Sequence, residues 1–551
     1  MRIIKHTIWL SLLLGLWANG LAQEKYWIFF TDKGECEQSQ PCEHLSPRAL
    51  ANREKQGIEP DWYDLPVANS YVHQIQELGI QPQRRTRWFN GLSSALTPEQ
   101  LVQVQGLPFV KAIRPVGRYR VEAVATLEGE AIVQQPSENF LRQLEMMDLG
   151  KLHYTGLTGK GVLMAVFDSG FTGVDDLPAF RQIFDQNRIV ATWDFVANVA
   201  DVFNTCTGCR HGNQVFSTIA AVMPGQLIGS APGCDFLLFR TENTSSETPQ
   251  EEDNWLAAAE FADSLGAQIF STSLAYYDFD GEENDYRFSD YDGNTALITR
   301  AGDMAASRGI LVVNAGGNRG TRGFNAPADG DSVIAIGSVD ENETYSSFST
   351  QGPTADGRIK PDLSAMGEQV FYLDVDGKIK QGNGTSFACP LVSGLVACLM
   401  QAFPEASSME IYESMRATAS QADAPDNLLG HGIPSGVLAW EWLAERYEPQ
   451  SQPPEESGFS TSVAFPSSWV TYSNPAEGYV YLNVPLGGLP GSLDFEWVDL
   501  TGRVVAGERE VPVAKQIALQ TPGVGIFILR ISGSEENELL HQEKIFVQES
   551  R

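Results

Sequence analysis

Basic side chains are scarce in this 551-residue chain: 38 Lys and Arg stand against 70 Asp and Glu, for a formal net charge of -32. A surface of that sign repels phosphate backbones and anionic headgroups, so nucleic-acid binding is excluded as its work. Cysteines are few and odd in number, seven, so at least one stays a thiol or pairs with another chain. Cys206-x-x-Cys209 has no second Cys-x-x-Cys or His-x-x-x-His beside it, which argues against structural zinc and leaves a bridge as the better reading. The apolar run Thr7 to Trp17 is short for a membrane span.

That run follows Arg2, Lys5 and His6 and precedes the small residues of Gly20-Leu21-Ala22. The pattern predicts a secretory signal peptide over 1–22 and a secreted or cell-surface protein. Export into an oxidising compartment would allow Cys36 to bridge Cys42, and Cys206 to bridge Cys209. Residues 23–125 read as a small α+β unit, with strands at Lys25 to Phe30, Leu92 to Ala95 and Val110 to Arg114. Its helices are expected at Pro47 to Gln56, at Ser70 to Leu78 and after Thr97-Pro98.

Residues 137–448 alternate apolar strands with helices. Strands are expected at Val162 to Phe167, Phe236 to Phe239, Ala267 to Ser271, Ile310 to Val313 and Val333 to Ile336; helices include Asn254 to Leu265 and Thr295 to Arg308. This predicts an α/β fold, a doubly wound and mostly parallel sheet, whose ligands bind beyond the carboxyl ends of the strands. Residues 449–458 form a Pro-rich linker. Residues 459–551 alternate in short pieces between Gly and Pro turns, predicting a C-terminal β-sandwich.

Three local signals point to one chemistry. In Val166-Phe167-Asp168-Ser169-Gly170 a strand delivers an acid to a turn. In Arg210-His211-Gly212-Asn213-Gln214 an imidazole opens an apolar helix. In Gly384-Thr385-Ser386-Phe387-Ala388 a hydroxyl opens another, with Pro390 in its first turn. Singly, each has a plainer reading: a cap, a hydrogen-bonded histidine, an N-cap serine. Together they supply the acid, base and nucleophile of a serine hydrolase. The α/β-hydrolase arrangement needs Gly-x-Ser-x-Gly and the order Ser, Asp, His, whereas Ser386 comes last and lies in Gly-Thr-Ser-Phe-Ala.

These motifs resemble the subtilisin-like serine proteases over about Leu144 to Trp442, and the order Asp, His, Ser is the one known for subtilisin. The resemblance implies a serine endopeptidase working through an Asp168, His211 and Ser386 triad and an acyl-enzyme. It also implies that Asn318, in Ala315-Gly316-Gly317-Asn318, donates its amide to the oxyanion, with Asn314 as the competing candidate. Ser273-Leu274-Ala275 would pair with the substrate backbone, and Gly316 and Gly317 would line the pocket for the residue before the cleaved bond. Arg319 would sit at that pocket's rim and favour acidic side chains. Asn213 and Gln214 depart from the family's usual residues after His-Gly.

The amino-terminal unit resembles the propeptides of these proteases, which makes the chain a zymogen blocked by its own propeptide. The carboxyl-terminal unit resembles the sorting domains of the type nine secretion system of Bacteroidota, through Tyr472-Ser473-Asn474-Pro475-Ala476, Val498 to Arg503 and Gly525 to Arg530, and this implies secretion machinery as a partner. Protein or peptide substrates are the other partners. No cofactor is required, no metal ligand set is recognisable, and family members often carry structural calcium. The acidic run Glu247 to Asp253 reads as a solvated loop, and uncharged Ser386 to Phe403 as a buried central helix. The rival reading is a catalytically inactive binding protein with the same fold at the cell surface.

Overall fold

The computed structural model describes residues 24–117, 131–132 and 141–450, apart from 207, 224, 247, 278 and 280–284, together with the strands between 470 and 547. The predicted signal peptide and all of the linker beyond residue 450 lie outside these residues.

The amino-terminal unit is an antiparallel sheet of β1 (Glu24–Phe30), β2 (Arg84–Thr86), β3 (Gly91–Leu96) and β4 (Val110–Gly117), in the order β2-β3-β1-β4. Helices α1 (Pro47–Lys55), α2 (Asn69–Glu77) and α3 (Pro98–Gln105) accompany it. Two starts follow from capping chemistry: the Ser46 hydroxyl accepts the Ala49 N–H, and Thr97 with Gln100 forms a reciprocal box ahead of Pro98. Ile28, Val72, Ile75, Leu92, Leu96 and Val104 make its core. Beyond it, β5 (Ala131–Ile132) lies antiparallel on a strand of the central unit, Ala131 opposite Gln381 and Ile132 opposite Lys380.

The central unit opens with the short helices α4 (Arg142–Glu145) and α5 (Leu149–Tyr154). Its strands are β6 (Leu163–Asp168), β7 (Ile189–Asp194), β10 (Asp235–Arg240), β11 (Ile269–Thr272), β12 (Leu311–Ala315), β13 (Val333–Val339) and β14 (Leu363–Met366). They pair in parallel in the order β14-β13-β12-β11-β6-β10-β7. Between them run α6 (Arg181–Asp185), α7 (His211–Ala220), the ribbon of β8 (Val222–Met223) and β9 (Leu227–Ile228), α8 (Gln250–Leu265) and α9 (Leu297–Ser307). The ribbon of β15 (Val370–Leu373) and β16 (Ile379–Gly382), then α10 (Thr385–Ala402), α11 (Ser408–Ala417) and α12 (Gly436–Ala444), complete the unit. This is the doubly wound sheet that the strand pattern predicts. The strands at β7 and β14 carry too few apolar signals to be foreseen.

One face of the sheet packs on α7 and α10, the other on α8 and α9. Helix α10 is apolar all round because it is buried all round. It grips the sheet through the Cys389 thiol, 3.5 Å from the Thr272 carbonyl and 3.4 Å from that of Val313, and through the Ser393 hydroxyl on Ser271. The expected solvated loop at Glu247 to Asp253 is corrected: α8 begins at Gln250, and Glu251, Glu252 and Asp253 are buried in its first turn. Acidic side chains favour a helix amino terminus; here Asp253 pairs with Lys25 of the amino-terminal unit, Glu251 accepts the Asn243 and Thr248 N–H groups, and Glu252 accepts from Tyr286.

In the carboxyl-terminal unit β17 (Val470–Glu477), β18 (Tyr479–Asn483), β19 (Ser492–Val498), β20 (Val504–Pro512), β21 (Gln516–Gln520), β22 (Gly525–Gly533) and β23 (Leu539–Val547) pair antiparallel, except for a single parallel contact between β17 and β23.

Candidate active site

Parallel strands deliver their carboxyl ends to one edge, and the predicted residues collect there. Asp168 ends β6; Ser273 to Ala275 follow β11; Gly316 to Asn318 follow β12. His211 and Ser386 arrive from the other side, in the first turns of α7 and α10.

Asp168 is fully buried. Its carboxylate oxygens lie 2.9 and 3.0 Å from Nδ1 of His211, and Oδ1 also accepts the Ser169 N–H at 2.7 Å. This places the Nδ1 proton on the carboxylate side and leaves Nε2 as the basic nitrogen. Gly212 is what allows the approach, since a Cβ there would come within 2.3 Å of the Gly170 carbonyl oxygen. The departures after Gly212 are absorbed differently: Gln214 donates to Asp374 at 3.3 Å, while Asn213 is buried without a hydrogen-bond partner.

Ser386 is held through its neighbours. The Ser273 hydroxyl donates to the Ser386 carbonyl at 2.9 Å, and Thr385 accepts the Gly317 N–H at 3.0 Å. Asn318 Oδ1 accepts both the Thr385 N–H, at 2.9 Å, and its hydroxyl, at 3.0 Å. With Oδ1 engaged, Nδ2 points to the space beside Gly384. A Cβ on Gly384 would sit 3.4 Å from Asn318 Nδ2 and 3.7 Å from the Ser386 nitrogen, so both donors border one small space. Asn318 is exposed, whereas Asn314 is buried inside β12 with its amide donated to the Leu274 and Ala315 carbonyls. The competing candidate is therefore a strand residue.

Sequence patterns missed three neighbours. Arg240, paired with Asp168 across β10 and β6, forms a buried ion pair with Asp194 at 2.8 Å and donates to the Ser169 carbonyl, which pins the turn after Asp168. Glu242 takes hydrogen bonds from Tyr276 and Thr241; burial pushes its carboxyl up to about 7, and the charge of Asp168 adds to that. Glu252, hydrogen-bonded by Tyr286 at 3.0 Å, is pushed by burial up to about 8. None carries a local motif; their meaning comes from register and burial.

Cys206 and Cys209 are bonded two residues before His211, and the Thr172 hydroxyl donates to the Cys206 carbonyl at 3.0 Å. The other expected pair does not form: Cys36 is a buried thiol and Cys42 an exposed one, on two separate 3-10 turns. Among the described residues no group of three or more His, Cys, Asp or Glu side chains is placed to hold a metal ion, so no structural calcium is assigned.

The amino-terminal unit covers α8. Lys25 pairs with Asp253, which also accepts from the Trp27 indole at 2.6 Å. Glu260 accepts from the Thr86 hydroxyl and the Arg87 and Trp88 N–H groups. Buried Arg53 bridges Asp64 of its own unit to Asp263 of α8, at 2.8 to 2.9 Å.

A parallel sheet with an acid–imidazole pair and a helix-borne serine at its carboxyl edge, and a separate α+β unit seated on α8, is the layout of a serine hydrolase with an attached amino-terminal domain. Comparison with known proteins makes this specific. Residues 159–432 match the subtilase family, and residues 25–128 match the peptidase S8 propeptide domain of Bacteroidota. An alkaline protease of Alkalihalobacillus alcalophilus is 27% identical over 318 residues, covering 58% of this chain and 74% of the relative. Subtilisin BL of Lederbergia lenta is 28% identical over 288 residues, 52% of this chain and 93% of the relative. The crystal structure of MycP1 from Mycobacterium smegmatis covers 58% of this chain and 89% of its own, at 22% identity and a TM-score of 0.45. The chain belongs to the subtilase family and is a serine endopeptidase with a propeptide, that is, a zymogen. Such enzymes need no organic cofactor.

Proposed function

We propose that this endopeptidase hydrolyses peptide bonds outside the cell through Asp168, His211 and Ser386. The observation that carries the reading is the two-oxygen grip of buried Asp168 on His211 Nδ1. That grip leaves Nε2 as the acceptor for the Ser386 proton. The alkoxide attacks the substrate carbonyl, His211 returns the proton to the leaving amine, and water resolves the acyl-enzyme by the same route in reverse. Asn318 Nδ2 and the Ser386 N–H stabilise the oxyanion, aided by the positive end of α10.

Ser273, Leu274 and Ala275 supply the edge that pairs with the substrate backbone, with Gly316 and Gly317 lining the adjoining pocket. The signal peptide exports the chain, the propeptide blocks the cleft until it is cut, and the carboxyl-terminal unit engages type nine secretion machinery. A fluorophosphonate probe tests the core of this. It should label Ser386 in processed protein and leave Ser386→Ala unlabelled; absence of labelling in processed wild type would favour the inactive binding protein.

A further inference from the structure

The propeptide also meets the catalytic unit at the edge of the sheet opposite the triad. There Arg48 and Asn52 of α1 and its C-cap residue Gln56 follow one another at a spacing of four, which puts them on one side of the helix. Each reaches a backbone carbonyl in a turn that leads into a strand. Gln56 donates to Gly309, ahead of β12, at 2.6 Å. Asn52 donates to Gly266, ahead of β11, at 2.8 Å. Arg48 donates to Gly161, ahead of β6, at 2.8 Å, and to the Asp235 carboxylate at the start of β10, at 2.9 Å. The sequence β12-β11-β6-β10 is the order of these strands in the sheet. Four helical residues rise about 6 Å and neighbouring strands lie about 4.8 Å apart, so roughly one turn of α1 serves one strand. The receiving turns leave room for nothing larger than glycine: a Cβ on Gly266 would lie 2.6 Å from the Ala49 nitrogen, and one on Gly309 would lie 2.5 Å from Gln56 Nε2. Backbone contacts fix both ends of the helix. The Ser46 N–H donates to the Ser264 carbonyl at 2.9 Å, and the Ser408 N–H to Gln56 Oε1 at 3.1 Å.

We propose that this amino edge is a helix-binding site of the catalytic unit, that its occupant is α1, and that it anchors the propeptide independently of the cleft once the connecting chain has been cut. Asp168 ends β6 and Gly161 precedes it, so a strand of six residues separates the triad from the anchor, roughly 20 Å. Covering the cleft and holding on to the enzyme then fall to different parts of the propeptide. The carbonyls of Gly161, Gly266 and Gly309 exchange a side-chain donor for water when α1 leaves, and each exchange costs the complex a modest, separable part of its affinity. The proposal rests on the propeptide assignment and not on the triad.

The test uses the full-length Ser386→Ala precursor as parent, with a recognition sequence for an outside protease placed within residues 118–130. After that cut, size-exclusion chromatography at successive times gives the rate at which the amino-terminal fragment leaves the rest of the chain. The parent fragment should co-elute with the catalytic unit. The triple variant Arg48→Ala, Asn52→Ala, Gln56→Ala should lose its fragment at least about 10²-fold faster, and Asn52→Ala and Gln56→Ala singly roughly three- to tenfold faster. Glu54→Ala, on the exposed side of α1, should match the parent. Immediate loss of the parent fragment overturns the proposal without any variant. Parent rates in both single variants overturn it too, even if the triple variant fails to fold. Glu54→Ala as fast as Asn52→Ala also overturns it and assigns the loss to the stability of α1 rather than to its contacts. Because the cut comes from outside and Ser386 is replaced, failure of the fluorophosphonate to label wild type would bring down the triad reading and leave this result standing.

Discussion

His211 reaches Asp168 with a single ring nitrogen, Nδ1, which lies 2.9 and 3.0 Å from the two carboxylate oxygens of a fully buried acid. This contact sets the tautomer of the base. Asp168→Asn presents an amide that cannot enforce it, so kcat at neutral pH should fall about 10⁴-fold. Steady-state hydrolysis of a peptide by processed variant checks this, and an unchanged thermal melt of the variant precursor shows that the loss is chemical.

Asn318 binds Thr385 through Oδ1, and in the proposed mechanism its Nδ2 faces the oxyanion. Asn318→Ala should lower kcat about 10²- to 10³-fold with KM nearly unchanged, because the lost donor acts on charge that develops only in the transition state. A loss confined to KM would assign Asn318 to ground-state binding.

The Cys206–Cys209 bond closes the turn that enters α7 at His211. Replacing both cysteines with serine should lower kcat toward about 10²-fold, the cost of misplacing a catalytic group by roughly an ångström. Mild reductant should reproduce the loss in wild type and have no further effect on the double variant. Active-site titration alongside separates misplacement from unfolding.

Arg53 neutralises Asp64 and Asp263 at the buried join between propeptide and α8. Arg53→Ala leaves buried Asp64 without its cation and Asp263 with Arg87 alone, and the precursor should lose about 3–5 kcal/mol. Denaturant melts in a Ser386→Ala background, which prevents self-cleavage, give the value. Trans inhibition by isolated wild-type and variant propeptides should weaken in the same sense.

Glu252 makes stability depend on pH. Its carboxyl sits at about 8 in the folded protein against an ordinary value of 4.5. Between those limits the folded state binds more protons than the unfolded state, so this group erodes stability as pH rises from 4.5 to 8 and adds no slope above that. Glu252→Gln keeps an acceptor for Tyr286 and removes the titration. In the Ser386→Ala background the variant should melt higher than its parent at pH 8, by on the order of 1 kcal/mol or more, and nearly equal to it at pH 4.5. Equal melts at both pH values would show that Glu252 is solvated.

Local patterns were enough for much of the fold. Continuous apolar strands such as Leu163–Asp168 and Val333–Val339 identify themselves because burial on both faces admits little else. Strand Ile189–Asp194 is half exposed at the sheet edge and lacks that signature. The run at Glu247 to Asp253 misled because charge predicts solvent unless a partner is known. The partners of Asp253, Lys25 and Trp27, lie more than two hundred residues away.

Residue identity and order alone determined the class of chemistry, because an acid after a strand and a histidine and serine at helix starts are each tied to a short motif. Tertiary structure alone decided which asparagine is spent inside a strand, which cysteines meet and what covers α8. Those outcomes depend on register and on which distant groups share one desolvated space, and no local stretch of chain encodes its neighbours across the sheet.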